Sequence, residues 1–396
     1  MVVYNPFSPE TAHNPFPAYK QLRDEAPVYH NEEVGFWALS RYEDVVAAHL
    51  DTDTFSSAHG VTIEGYDQGS PLLITKDPPE HTAHRKIAAR MFTPRRMSQL
   101  EPFVRATAAD LLERVRDQDR FDLVQDFSFR LPLDVISELI GIPADRRAEV
   151  HELSDRLAAR DEDMSGTDDV IQAMADLLSL FTELVRERRR HPGQDVITML
   201  MNTEVEDSDG GGPRSLGDDE LATRFMELAF AGHETVAKLI PNGVIALSWY
   251  PDQRRELVAD PTLITNAVEE MLRWDPPSHY QGRWTLREVE LHDAVIPEDV
   301  RVILITGAAG HDERKYPDPE LFDIHREVDR HVSFGLGRHL CLGASLARLE
   351  TRVAFEELLK RFPDFTFDET GVQRPYSGNV RGLASLPLLV ERTAAV

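Results

Sequence analysis

The chain has 396 residues, 41% of them hydrophobic, with 69 acidic against 43 basic side chains and a net charge of −26. That is enough apolar material for a sizeable core, and so negative a balance argues against nucleic acid and anionic membrane surfaces as partners. The single cysteine, Cys341, excludes an intramolecular disulfide; a reducing compartment, no basic-then-apolar leader and no run of about 20 apolar residues together predict a cytoplasmic protein.

Residues 1 to 30 are rich in proline and carry one short amphipathic helix near Ala18 to Glu25. Val34 to Leu39 reads as a strand and Tyr42 to Leu50 as a helix. Residues 56 to 76 lack a period and read as a long loop, a kind that is often functional. Prolines then open a helix at 77 to 86, where His81 and Arg85 share a face. With Lys86, Arg90, Arg95 and Arg96 they make a local basic cluster, which by itself reads as a solvated helix face. Helical patterns follow at 98 to 117, 124 to 140, 144 to 160 and 168 to 190, with a polar hinge at 161 to 169. The basic run 186 to 190 suits the last turn of a helix. Residues 204 to 217 read as a flexible loop.

The longest helical pattern runs from Asp218 to about Tyr250 and opens with three acids. Its middle reads Ala231-Gly232-His233-Glu234-Thr235. The glycine costs stability but thins the helix for a ligand, and Glu234 and Thr235 set an acid beside an alcohol. Alone, that pair reads more readily as a polar face with a back-bonding threonine. Pro241 should remove a hydrogen bond to the carbonyl of Ala237 and kink or end the helix. Glu270 and Arg273 stand three apart on a helix that Pro276 and Pro277 end; such pairs are ordinarily worth a few tenths of a kcal/mol. Residues 284 to 307 alternate like a small sheet with a turn at 297 to 299. Residues 316 to 326 are loop and turn. Short strands return at 365 to 392, with a tight turn at Gly378-Asn379.

Between them, residues 334 to 350 concentrate the chemistry. Gly335, Gly337 and Gly343 surround Cys341, letting the backbone take unusual conformations and something flat come close. Leu346, Leu349 and Val353 then form a helical stripe. A helix N-terminus, with Arg338, His339 and Arg348 nearby, favours an anionic sulfur. Three readings stay open for the thiol: a small buried hydrophobe, a catalytic nucleophile, or one thiolate ligand to a haem iron. A cysteine-built zinc site and a c-type haem attachment need further cysteines.

Phe334, Gly335, Gly337, His339, Cys341 and Gly343 match the haem loop of the cytochrome P450 family, and the chain resembles that family along nearly its whole length. Ala231 to Thr235 is similar to its oxygen-activating motif. Glu270, Arg273, the two prolines and Arg283 resemble its buried Glu–Arg pair and the arginine after it, with Arg326 joining the pair. The resemblance implies a mainly α fold with a minor β region, a single triangular-prism domain over residues 1–396. It implies haem b (iron protoporphyrin IX) between the long helix and the helix after Cys341, with Cys341 as the iron ligand. His81, Arg85, Arg283 and His339 would neutralise the propionates, while Ala231, Gly232, Phe334, Gly335 and Gly343 complete the cofactor site. Thr235 would hydrogen-bond the activated oxygen or its water, and Glu234 would relay protons.

The implied activity is a monooxygenase that activates O2 with electrons from a ferredoxin, itself fed by an NAD(P)H ferredoxin reductase, and hydroxylates an apolar small molecule. Arg95, Arg96, Arg338, Arg348 and Arg352 would form the docking face. Val61, Ile63, Leu72, Leu73, Leu228, Ala231 and Val380 would line the substrate pocket, with one polar contact from His279, Tyr280 or Gln281. A peroxide-driven peroxygenase and a non-enzymatic haem-thiolate sensor or carrier are the alternatives. A cysteine hydrolase explains neither the glycines nor the other motifs.

Overall fold

The computed structural model describes residues 2–63, 70–158, 168–206, 212–375 and 378–390. Its centre is the helix Asp218–Trp249, where the Glu220 carboxylate accepts from the Gly217 N–H at 2.9 Å and so ties down one free amide of the first turn. Leu221, Phe225, Leu228, Val236, Leu239, Ile240 and Val244 of this helix are all buried. The helices Arg130–Ile140, Asp168–Arg190, Ile264–Trp274 and Ala344–Arg361 pack around it. The helix Pro94–Arg114 lies along Ala344–Arg361. Three helices meet at Gly243, where an added Cβ would sit 2.6 Å from Met271 Sδ and 2.7 Å from Phe355 Cζ.

The helix runs through Pro241 to Trp249, so the expected early end does not occur. The carbonyl that Pro241 deprives of a donor is that of Ala237. It accepts instead from Ser128 Oγ at 3.0 Å. Ser128 closes a π-helical turn, Val124–Ser128, just before Arg130–Ile140.

The β region is small. Five strands lie in the order Val28–Asn31, Phe36–Leu39, Arg301–Leu304, Gln281–Thr285, Phe55–Ser56. Leu304 pairs in parallel with Leu39, and antiparallel with Gln281. Phe365–Phe367, Pro387–Val390 and Arg120–Asp122 form a second sheet. One expectation is corrected: part of 204–217 is a hairpin of Glu204–Glu206 with Pro213–Ser215 and not irregular loop. Most of the polar hinge at 161 to 169 lies outside the described residues, as do 64–69 within the 56–76 loop. The helices Pro9–His13, Val196–Met201 and Pro251–Ala259 were not anticipated. Among the described residues no helix is long and apolar enough to cross a membrane.

Candidate active site

The loop before Ala344–Arg361 is shaped by its glycines. Gly335 and Gly337 both have φ of +65°, in the left-handed region that disfavours a side chain. At Gly337 a Cβ would also sit 3.1 Å from the His49 carbonyl and 3.2 Å from Leu50 Cδ2. The loop therefore rests directly on the end of the helix Tyr42–Leu50. The Cys341 N–H donates to the Phe334 carbonyl at 2.8 Å, closing the loop. The cysteine is exposed, although protein atoms crowd the sulfur on its inner side. That desolvation raises the thiol pKa; the Gly343 N–H, Arg85 and Arg348 pull it down without prevailing. The helix N-terminus and neighbouring charges, expected to favour an anionic sulfur, thus do not by themselves offset its desolvation.

Next to the thiol lies a cluster of nitrogen bases and cations. His81 and Arg85 come from the helix Glu80–Ala88, and the His81 ring lies 4.1 Å from that of His339. Arg85 donates to the Leu340 carbonyl. Arg283, buried on the strand Gln281–Thr285, donates to the Gly282 carbonyl at 2.7 Å and lies 3.5 Å from His49 Nδ1. Among the described residues neither Arg85 nor Arg283 has a carboxylate within 4.0 Å. His339 Nε2 and His49 Nε2 are buried with no partner. Burial, and then the facing arginine charges, lower His81 to about 4, His49 to about 3 and His339 to about 2. Burial likewise lowers Arg283 to about 10.

Two guanidiniums and three imidazoles, two of them with an orphaned ring nitrogen, fit a group carrying several anionic oxygens. The propionates of a haem are such a group, so the residues present fit it. His81, Arg85, Arg283 and His339, each expected from sequence, are brought together. His49 was missed, and nothing in the pattern of its helix marked it.

On the long helix, Leu228, Ala231 and Thr235 share a face. Ala231 is exposed although Leu228, Ala229 and Val236 around it are buried, so this face opens onto a cleft. Thr235 Oγ1 donates back to the Ala231 carbonyl at 3.4 Å. The Glu234 carboxylate takes Lys238 Nζ at 2.6 Å, a partner that sequence reasoning missed. Gly232 also serves the packing of the helix. Its missing Cβ would lie 2.9 Å from Ile136 Cδ1, so the thin point lets the helix Arg130–Ile140 approach. His233 is buried, with Phe129 meeting it edge to face at 4.2 Å.

The site is braced from behind. Glu270 and Arg273 are fully buried and joined by two bonds of 2.6 and 2.7 Å. Arg273 also donates to the carbonyls of Gly310, Pro319 and Leu321, and Arg326 Nε reaches Glu270 at 3.2 Å. Arg348 bonds Glu269 at 2.6 and 2.8 Å and lies over the Phe334 ring at 4.7 Å. Glu269 is brought down to about 2, because Arg348 and His331 outweigh the opposing effect of its burial.

The remaining expected residues divide. Glu227, one turn before Ala231, accepts the N–H groups of Leu73 and Ile74 at 3.0 Å each, tying the turn Leu73–Thr75 to the long helix. Val61 lies on the strand at Gly282, whose N–H donates to its carbonyl at 2.7 Å. Val380 bridges to Ser278. Ile63 instead packs with Tyr4, Tyr19, Phe36 and Tyr280 in a separate core. His279 and Tyr280 are buried, and His279 is held by Asp275 at 3.1 Å and Tyr19 at 2.9 Å. Gln281 donates to Ser278 Oγ at 2.7 Å. On the basic face, Arg348 is paired as above, Arg352 pairs with Glu101 and Glu356, and Arg96 lies against Met199 Sδ. Only Arg95 and Arg338 of that set are exposed and without an ion pair among the described residues.

Residues 256–391 match the profile described as Cytochrome P450. The chain is similar to the vitamin D(3) 25-hydroxylase of Pseudonocardia autotrophica, 38% identical over 95% of this chain and 93% of that protein. It is also similar to cytochrome P450 130 of Mycobacterium tuberculosis, 35% identical over 96% of each. Its fold superposes on the solved structure of cytochrome P450 CYP109Q5 from Chondromyces apiculatus with a TM-score of 0.89, at 33% identity over the full length of both. With relatives at this identity along nearly all its length, the chain belongs to the cytochrome P450 family and is a monooxygenase.

Proposed function

We propose that the protein binds haem b through Cys341 and uses dioxygen, with electrons from a ferredoxin and its NAD(P)H-fed reductase, to hydroxylate an apolar small molecule. The observation that carries this reading is the exposed thiol of the Phe334–Gly343 loop beside His49, His81, Arg85, Arg283 and His339, whose two guanidiniums have no carboxylate within 4.0 Å among the described residues. Thiolate-held haem supplies the oxygen activation, because the sulfur pushes electron density that favours O–O cleavage. The chain supplies the rest. Arg85 and Arg283 hold the propionates with the three imidazoles. Phe334, Gly335 and Gly343 keep the thiol side open, and Ala231 offers a small side chain on the other side. Gly232 serves that side indirectly, by seating its helix on Ile136. Thr235 has a hydroxyl free to turn from Ala231 and donate into the cleft, and Glu234 carries protons to it.

Leu72, Leu73, Leu228 and Ala231 form the apolar wall that this reading assigns to substrate, with Val61 and Val380 at its margin; Ile63 stands behind it. A relative named vitamin D(3) 25-hydroxylase supports an apolar molecule of that kind. Arg95 and Arg338 remain to meet an acidic ferredoxin, with electron transfer weakening at high salt. Residues 1–396 form one domain in this reading, which is supported by a core drawn from Ile87 through Leu388.

The test is the optical spectrum of the reduced protein under carbon monoxide, followed by turnover of vitamin D3 and a steroid as probes with a surrogate ferredoxin and reductase. A strongly red-shifted Soret band that Cys341→Ser abolishes is expected. Well-folded protein that takes up no haem would overturn the reading.

A further inference from the structure

A cavity of ≈ 30 Å³ lies where the N-terminal segment meets the C-terminal part of the chain, lined by none of the residues assigned to haem. Tyr4, Thr11, Tyr19, His279, Arg374 and Arg381 are among its walls. The space is that of about two water molecules.

The charges around it do not balance. Arg381 Nε donates to Asp275 Oδ1 at 3.1 Å, and Arg381 Nη1 to the Ala12 and His13 carbonyls at 2.9 and 3.2 Å. The same Asp275 oxygen accepts from His279 Nε2 at 3.1 Å, while the Tyr19 hydroxyl donates to His279 Nδ1 at 2.9 Å, an arrangement that needs a neutral ring. Burial lowers the His279 pKa, in keeping with that. Burial opposes ionisation of Asp275, but Arg381, His279 and Arg374 bring it down to about 2. One carboxylate therefore faces two guanidiniums.

Arg374 is the one left over. Its guanidinium makes no hydrogen bond or ion pair among the described residues, and Nη1 is buried without a partner. Burial, and then Arg381, lower it to about 10, so it stays charged at neutral pH. The Tyr4 hydroxyl, on a residue 1% exposed, is likewise without a hydrogen-bond partner. Burial, with Tyr19 and Tyr280 beside it, raises its pKa well above the usual range, so it keeps a proton to donate. An unmade buried hydrogen bond and an unmatched buried charge are both costly, and an anion answers both.

We propose that this cavity binds one small monovalent anion, of the size of chloride, held by Arg374 and Tyr4 with Arg381 at its edge. The charge follows from two guanidiniums against one carboxylate, and the size from a space too small for phosphate. The bound anion joins the N-terminal segment to the stretch carrying Val380, which also lines the cavity and whose neighbour Asn379 accepts from the His279 N–H at 2.8 Å. The site does not depend on the monooxygenase reading.

Holoprotein crystals grown without halide and soaked in sodium bromide should show an anomalous peak within hydrogen-bond distance of Arg374. In solution, chloride is exchanged for gluconate at constant ionic strength. The wild-type Tm should climb with the logarithm of chloride concentration once the site fills, and Arg374→Gln should lose that climb. If Arg374→Gln fails to fold, Arg374→Lys keeps the charge without the fork and should need about tenfold more chloride for the same rise. No bromide at Arg374 would overturn the proposal, as would equal chloride responses in wild type and variant. A peak in the crystal with no chloride response in solution would mean binding at soaking concentration only, and would overturn it too.

Discussion

Ser128→Ala removes a hydroxyl whose one task is to replace a backbone donor. Ser128 is fully buried and donates to the Ala237 carbonyl at 3.0 Å. Proline at 241 has no N–H for that carbonyl. Without Ser128 the carbonyl is left unsatisfied in the core, at a cost of about 1–3 kcal/mol. At ~2.1 cal/mol/K per residue, 396 residues give an unfolding entropy of ~0.8 kcal/mol/K, so Tm should fall by about 1–4 °C. The diagnostic arm is Pro241→Ala, which supplies an i→i−4 N–H. In that background Ser128→Ala should cost less than about 1 kcal/mol, a coupling that a double-mutant cycle reads directly. Guanidinium unfolding of the four holoproteins, followed by far-UV circular dichroism, measures it. Equal costs of Ser128→Ala in both backgrounds would show that the hydroxyl does something other than stand in for the missing amide.

Three further outcomes are expected. Gly243→Ala places a methyl between Met271 Sδ and Phe355 Cζ and should destabilise by about 1–3 kcal/mol; an unchanged unfolding midpoint would mean that the helices there have room. Glu270→Gln leaves the fully buried Arg273 without its counter-charge and should cost about 3–5 kcal/mol, with a lower yield of haem-loaded protein as the accompanying readout. Glu269 is held at about 2 in the folded chain against 4.5 when free. A group depressed in this way stabilises above its unfolded pKa and loses that contribution as pH falls from 4.5 to 2. The Glu269→Gln variant should therefore show a shallower loss of stability over that window in acid titrations of Tm, and an identical acid limb would refute the assignment.

The helical skeleton was legible because it is periodic. Tyr42–Leu50 and Asp168–Arg190 fall where apolar spacing put them. The hairpin within 204–217 was hidden because its two strands are three residues each and carry turn-like composition. Pro241 misled for a physical reason: local rules count the lost amide but cannot see a serine more than a hundred residues away supplying a donor. In the site, His81, Arg85, Arg283 and His339 were legible through motif resemblance. His49 and Glu227 were not, since each acts through a tertiary partner: Arg283, and the Leu73 and Ile74 amides. Gly232 was read as room for a ligand, and it also admits Ile136. The desolvation of Cys341 was missed because charge near a thiol is visible in sequence and burial is not.

The cluster around Arg283 bears on how the chain is made in a cell. Two like charges and three imidazoles converge, and among the described residues no carboxylate lies within 4.0 Å of either guanidinium, Asp77 acting on Arg283 and His81 only from further off. A polypeptide that closes before its dianionic guest arrives must bury that imbalance, so the guest acts as a folding ligand as well as a reactive centre. Ligand at a thousandfold its dissociation constant adds about 4 kcal/mol to the folded state, a large share of a typical protein's total margin. Iron and porphyrin supply during synthesis would then set how much of the chain survives proteolysis, before any question of turnover arises.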